Sequence, residues 1–274
     1  MSAQVPRAPE PSGPPPQGPG RYADLRELAY PEVEALLDEG RRTVAILPTG
    51  STEAHGPHLP LCTDTLISEE VAGRAARTLA ERGWNAVRFG PLHYGVTDWA
   101  ASFRGTTTIS AEVIDGLVMQ ACLQARSMGF TRVAITNAHL EPGHIATLRA
   151  VSRKFEAQTG DPLVFSDKTR RKNAQRLTAE FASGSCHAGQ YETSLVLAIR
   201  PDLVKMDVAR ALPEHVVALH EHIANGARDF VECGVERAYC GNPAGATAQE
   251  GERSLETLSD MVVEAVEASV ASTR

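Results

Sequence analysis

Apolar and polar positions along this chain spell strands and helices in turn. Thr43–Leu47 is a short apolar run of the kind a buried strand requires. Thr65–Arg82 has apolar residues at helical spacing and stops at Gly83, a residue suited to the left-handed position after a helix end. Asn85–Phe89 alternates as a strand. Ser110 caps a helix over Ala111–Met128, which Gly129 closes. Arg132–Thr136 is a β-branched run, His144–Thr159 a helix and Pro162–Ser166 a further strand. Helical spacing also marks Tyr30–Gly40, Glu192–Ile199, Glu214–Cys233 and Ala248–Ser272. Lys168–Phe181 is polar and basic and reads as an exposed helix or arm. Strand and helix alternate through the first two-thirds, which predicts an α/β fold with a parallel sheet covered on both faces. Residues 1–21 are rich in Pro and Gly, lack the apolar core of a secretory signal, and read as a disordered or loosely docked arm. Residues 22–274 read as a single domain, with no internal repeat and no linker.

The candidate chemistry sits just past two of these strands. After Thr43–Leu47 comes a loop stiffened by Gly50, Gly56, Pro57 and Pro60, and it carries Glu53, His55 and Asp64. After Arg132–Thr136 come His139 and Glu141. Each His lies two residues from an acid, so in extended backbone both side chains face one way. Open α/β sheets bind ligands outside the carboxyl ends of their strands. One such pair is weak, because His and Glu occur on many loops. Two pairs plus Asp64, converging on one crevice, make a metal-ligand set of mixed nitrogen and oxygen donors. The loop-rich stretch Gly90–Gly105, with Asp98 and Trp99, reads as a pocket wall. His144 reads as a supporting or substrate-facing group. His58 reads as structural, and His215, His220 and His222 as surface residues.

Composition narrows the partners. The chain has 274 residues, 42% hydrophobic and 22% charged, enough for one large domain with a buried core. Its net charge is -7 and it has no long basic run, which argues against nucleic acid. No 18-residue apolar run is present, so no membrane span is expected. Five cysteines without a Cys-x-x-Cys pair suggest free thiols in a reducing, cytoplasmic setting. Cys62 and Cys186 fall beside the site and read as packing residues.

Four longer motifs carry a family resemblance. Gly50–Pro60 with Asp64, Asn137–His139 with Glu141, Cys186–Ser194 and Gly241–Pro243 are similar to motifs of the creatininase (creatinine amidohydrolase) family. The match runs from about Tyr30 to Leu258. The resemblance implies a three-layer α/β/α sandwich, a homohexamer, and hydrolysis of a cyclic or linear non-peptide C–N bond of a small molecule. It implies two divalent ions (Zn, Mn or Fe), about 3.5–4 Å apart as in other two-metal sites. Glu53, Asp64 and His139 would hold one ion; His55, Asp64 and Glu141 would hold the other. His187, hydrogen-bonded to an acid such as Glu192, would donate a proton to the leaving nitrogen. Local departures shift the expected substrate away from creatinine. Leu140 stands where creatinine-cleaving members carry an aromatic residue, Asp98–Trp99 replaces the usual Glu-His, and Arg104 stands where proline is common. Gln190 is uncharged where many relatives carry Glu. Asp98, Trp99, His144 and Gln190 are the candidate substrate residues. Two other expectations are a metal-dependent peptidase that matures a modified peptide or cofactor, and a metal-binding homologue without catalysis.

Overall fold

The computed structural model describes residues 16–271. Five parallel strands form one sheet: β1 (Tyr22–Asp24), β2 (Thr43–Thr49), β3 (Asn85–Arg88), β4 (Arg132–Asn137) and β5 (Leu163–Phe165). Their spatial order is β1-β3-β2-β4-β5. From β2 the chain winds outward to β3, then returns across β2 to place β4 on its other side. The direction of winding therefore reverses between β2 and β4, and that reversal opens the crevice where such sheets take ligands.

The helices, in chain order, are α1 (Tyr30–Asp38), α2 (Thr63–Glu81), α3 (Ala111–Met128), α4 (Pro142–Thr159), α5 (Arg171–Ala174), α6 (Ala179–Ser183), α7 (Gln190–Ile199), α8 (Met206–Arg210), α9 (Leu219–Ala224) and α10 (Ala248–Ala271). β2 is buried along its whole length, as a parallel strand covered on both faces must be. Successive residues point to opposite faces. Val44 and Ile46 pack with α2, α7 and α10 on one side. Ala45 and Leu47 pack with α1, α3 and α4 on the other. This is the three-layer α/β/α sandwich expected. No described helix is long and apolar enough to cross a membrane.

Three expectations are corrected. β1 was not foreseen. It pairs with the edge of β3, and Asp24 at its end takes the guanidinium of Arg26 at 2.7 Å and that of Arg88. The helix expected over Glu214–Cys233 shrinks to α9. Gly226 at φ 90° interrupts it, and Val217, Phe230 and Cys233 pack from irregular backbone into a small satellite core. Lys168–Phe181 is exposed along Thr169–Lys172 and at Gln175 and Arg176, as expected, but its two ends are buried, with Lys168 Nζ 5.9 and 5.8 Å from the rings of Phe181 and Tyr191. Residues 1–15 of the Pro/Gly-rich arm lie outside the described residues. Its last residues are docked, with Arg41 Nη1 donating to the Pro16 and Gly18 carbonyls at 3.0 Å and Gly20 N–H to Ala80 O at 2.7 Å.

One buried ion pair ties the outer helices together. Arg126 of α3 donates to Asp161, just beyond α4, at 3.0 and 2.6 Å, and both side chains are within 3% of full burial. Removing one partner strands the other charge away from water. Asp161→Ala is expected to cost about 3–5 kcal/mol, read as a lower midpoint in urea with an unchanged slope. A loss below about 1 kcal/mol would mean that water reaches Arg126.

Candidate metal centre

The β2–β4 register sets the site. Thr49 pairs with Asn137 at the ends of the two strands, and Thr49 Oγ1 bridges Thr136 O at 2.9 Å and Asn137 Oδ1 at 3.1 Å. The loop after β2 is stitched down on both flanks: Glu53 N–H donates to Leu61 O (3.1 Å), Ala54 N–H to Thr106 Oγ1 (3.1 Å) and Gly56 N–H to Ala238 O (2.6 Å). Gly50 lets the loop pass against α2, because a Cβ there would lie 2.7 Å from Thr65 N. Asp64 thereby sits in the first turn of α2, where the helix dipole favours an anion.

Glu53, His55, Asp64, His139 and Glu141 are all buried and converge as the spacing predicted. His139 Nε2 donates to the Val96 carbonyl at 2.7 Å, which turns Nδ1 toward Glu53 Oε1 (3.1 Å) and Asp64 Oδ2 (3.2 Å). His55 Nδ1 donates to Glu53 O at 3.2 Å, which turns Nε2 toward Asp64 Oδ1 (3.4 Å) and Glu192 Oε2 (3.5 Å). Each imidazole thus spends one nitrogen on a carbonyl and aims the other at buried acids, the arrangement that orients metal-ligating histidines. Asp64 divides its two oxygens between the two rings. Among the described residues, His55 Nε2 and Asp64 Oδ2 have no hydrogen-bond partner.

The second set differs from the one the resemblance implies. The carboxylate facing His55 and Asp64 is Glu192, in the first turn of α7. Glu141 is drawn aside by the backbone N–H groups of Asp98 (3.0 Å) and Trp99 (3.2 Å), and groups with Glu53 and His139. The expected His187–Glu192 hydrogen bond is replaced. His187 Nε2 donates to Ala54 O at 3.0 Å, while Glu192 Oε2 accepts from Ala188 N–H at 2.7 Å. Ala188 is held at φ 50°, a left-handed backbone rare for a side-chain-bearing residue, and this turns its N–H onto Glu192. Glu180 fixes the start of α7 from outside by accepting the N–H groups of Gln190, Tyr191 and Asn242 at 3.0, 2.8 and 2.7 Å.

The buried acids set the charge of the two aimed imidazoles. Burial alone would lower His55, yet Asp64, Glu192 and Glu53 outweigh it and raise its pKa to about 10. His139 is likewise raised well above its ordinary value, the acids Glu53 and Asp64 overcoming burial. Burial pushes Glu141 up to about 7. Burial and the positive charge on His55 push His187 down to about 4, and burial beside His139 takes His144 to about 3. Ligation requires unprotonated nitrogens, so loading Zn²⁺ at pH 7 is expected to release about two protons per chain, and affinity is expected to fall with falling pH. Titration calorimetry in buffers of different ionisation enthalpy measures this. Proton-free binding would remove His55 and His139 from the ligand set.

A cavity of about 490 Å³ opens onto Glu53, His139, Glu141, His187 and Glu192. Of the four candidate substrate residues, only Trp99 lines it. Asp98 is exposed and takes Thr108 Oγ1 at 2.8 Å. Gln190 donates to Glu250 at 2.6 Å, away from the cavity. His144 is buried beneath His139, rings 4.9 Å apart, and takes the Val96 N–H. The rest of the wall, including Phe181, Leu219, Ile223 and Phe230, was not foreseen, since no local pattern marks residues that meet only after folding.

Acids and aimed imidazoles at the switch point of a parallel sheet define a metal-dependent hydrolase. A family model described as creatininase, creatinine amidohydrolase, matches residues 26–266. The chain belongs to the creatininase family and is a metal-dependent amidohydrolase of that family. It is similar to the mycofactocin precursor peptide peptidase of Mycobacterium ulcerans, 32% identical over 222 residues, covering 78% of this chain and 81% of the relative. It is 28% identical over 192 residues to the creatinine amidohydrolase of Pseudomonas putida, covering 66% of this chain and 73% of the relative. Two solved creatininases share the fold. One named for manganese has a TM-score of 0.67 at 22% identity, covering 90% of this chain and 98% of that one. One named for a zinc pair has 0.66 at 21%, covering 89% and 97%.

Proposed function

We propose that this chain is a two-metal amidohydrolase acting on a small-molecule amide, with Glu53, Asp64 and His139 holding one divalent ion and His55, Asp64 and Glu192 the other. The observation that carries this is the pair of imidazoles, each anchored on a carbonyl, that aim their second nitrogens at buried carboxylates. Nitrogen and oxygen donors together suit Zn²⁺, Mn²⁺ or Fe²⁺. When bound, such ions supply Lewis acidity toward a carbonyl and make water acidic enough to attack near neutral pH. His187 lies against His55, ring centroids 4.5 Å apart, with its Nε2 proton held on Ala54 O. It carries a proton from the attacking water to the leaving nitrogen as the C–N bond breaks. Glu141 holds the amides of Asp98 and Trp99 and so sets the wall beside the centre. Chelation should abolish turnover of a panel of lactams, hydantoins, formamides and linear amides, and Mn²⁺ or Zn²⁺ should restore it. Activity that survives complete metal removal would sink the reading.

A second reading, cleavage of a modified peptide, is supported by the relative at 32% identity, which is named a peptide peptidase. Peptide turnover with no small amide cleaved would select this reading. Assembly into a homohexamer is proposed from the family resemblance, with the exposed Val113 and Leu117 of α3 offering one apolar contact, and a monomer mass by light scattering would exclude it. Free, mostly buried thiols support a cytoplasmic setting.

A further inference from the structure

We propose that the far end of the cavity is a carboxylate subsite built on Arg149, so that the substrate carries an anion across an apolar spacer from its scissile amide. The proposal rests on the reading of the site as an amidohydrolase centre. Among the described residues Arg149 is the only Lys or Arg on the cavity wall, which at its other end is formed by Glu53, His139, Glu141 and Glu192. Pro142, Ile145 and Arg149 follow one another at three- and four-residue spacing along α4, so one helix face leads from Glu141 to Arg149. Eight residues of helix span about 12 Å. The rest of the wall is mostly apolar, with Leu140, Phe181, Leu219 and Ile223, and also carries Thr169 and His220.

Arg149 is positioned but not neutralised. Its Nε and Nη2 donate to Asp167 Oδ2 at 2.8 and 2.6 Å, and Nη2 also to Thr169 Oγ1 at 2.9 Å. Asp167 is shared with a second guanidinium, Arg170, at 3.2 Å. One carboxylate against two guanidiniums leaves a net positive charge. Nη1 of Arg149 has no hydrogen-bond partner among the described residues. That edge offers one nitrogen, enough for a carboxylate oxygen. A phosphate, with three oxygens to satisfy, would find too few donors on this mostly apolar wall.

The test uses the metal-loaded chain and two probes of equal length: suberamic acid, with an amide at one end of an eight-carbon chain and a carboxylate at the other, and octanamide, which lacks the carboxylate. Titration calorimetry is expected to show the wild type preferring suberamate by at least about tenfold, the scale of a charge-assisted hydrogen bond. Arg149→Met should erase the preference. Arg149→Lys keeps a cation for Asp167 and guards the fold, yet has no Nη1 edge, and should lose most of it. A preference that survives both variants would place the carboxylate on the metals and overturn the subsite, as would no preference in the wild type. Elemental analysis of the same samples keeps the two readings apart. Absence of metal counts against the centre, whereas bound metal with a preference indifferent to Arg149 counts against the subsite alone.

Discussion

Asp64→Asn is expected to disable both halves of the proposed centre at once. The substitution keeps shape and removes the charge that meets His55 at 3.4 Å through one oxygen and His139 at 3.2 Å through the other. No other acid in the cluster faces both rings this closely. Wild-type protein with metal at a thousand times its Kd should gain about 4.1 kcal/mol of stability from binding. The variant should gain almost none, bind at most one ion per chain, and lose turnover by about 10³ or more. Glu53→Gln and His55→Ala should each empty mainly one position. Two tightly held ions in Asp64→Asn, by elemental analysis after dialysis, would show that the carboxylate does not bridge.

The second large effect is expected at His187. His187→Ala or His187→Asn should retain both ions and lose about 10²–10⁴ of turnover, the usual contribution of a positioned proton carrier. The loss should shrink for activated anilides, whose leaving group departs without a proton. His187 also groups with Glu53 and His55 closely enough to share an ion, so metal content must be read with the rate. Loss of an ion in the variant would make His187 a ligand. Both ions retained with full activity on unactivated amides would move the proton elsewhere.

The strand-end pairs were legible because two local regularities coincide there: a buried strand ends, and a His lies two residues from an acid. β2 and β4 announce themselves as apolar runs, and the loops that follow inherit their position from the sheet. Glu192 was visible as an acid in the first turn of α7 but not as a partner of His55. That pairing depends on Ala188 standing at φ 50°, and nothing in an alanine's identity announces a left-handed backbone. β1 is three residues long and stabilised by a neighbour more than sixty positions away, so its local sequence carries almost no strand signal. The segment 214–233 misled for the opposite reason. Its apolar residues recur at helical spacing because some serve the satellite core and others the cavity wall, two demands that together imitate one amphipathic stripe.

The acids and imidazoles at the centre stand on strand ends and on the first turns of α2 and α7, whereas most of the cavity wall hangs from three separate connections carrying Trp99, Phe181 and Leu219 to Phe230. The first of these is pinned midway by Glu141 on the Asp98 and Trp99 N–H groups, and Phe181 anchors the second in the main core, while the rest of their length is looser. A lineage can therefore lengthen, shorten or rewrite one of them while the reactive core stays in register, since loop insertions cost little and the core tolerates almost no displacement. New substrates become reachable by drift on the rim, one connection at a time.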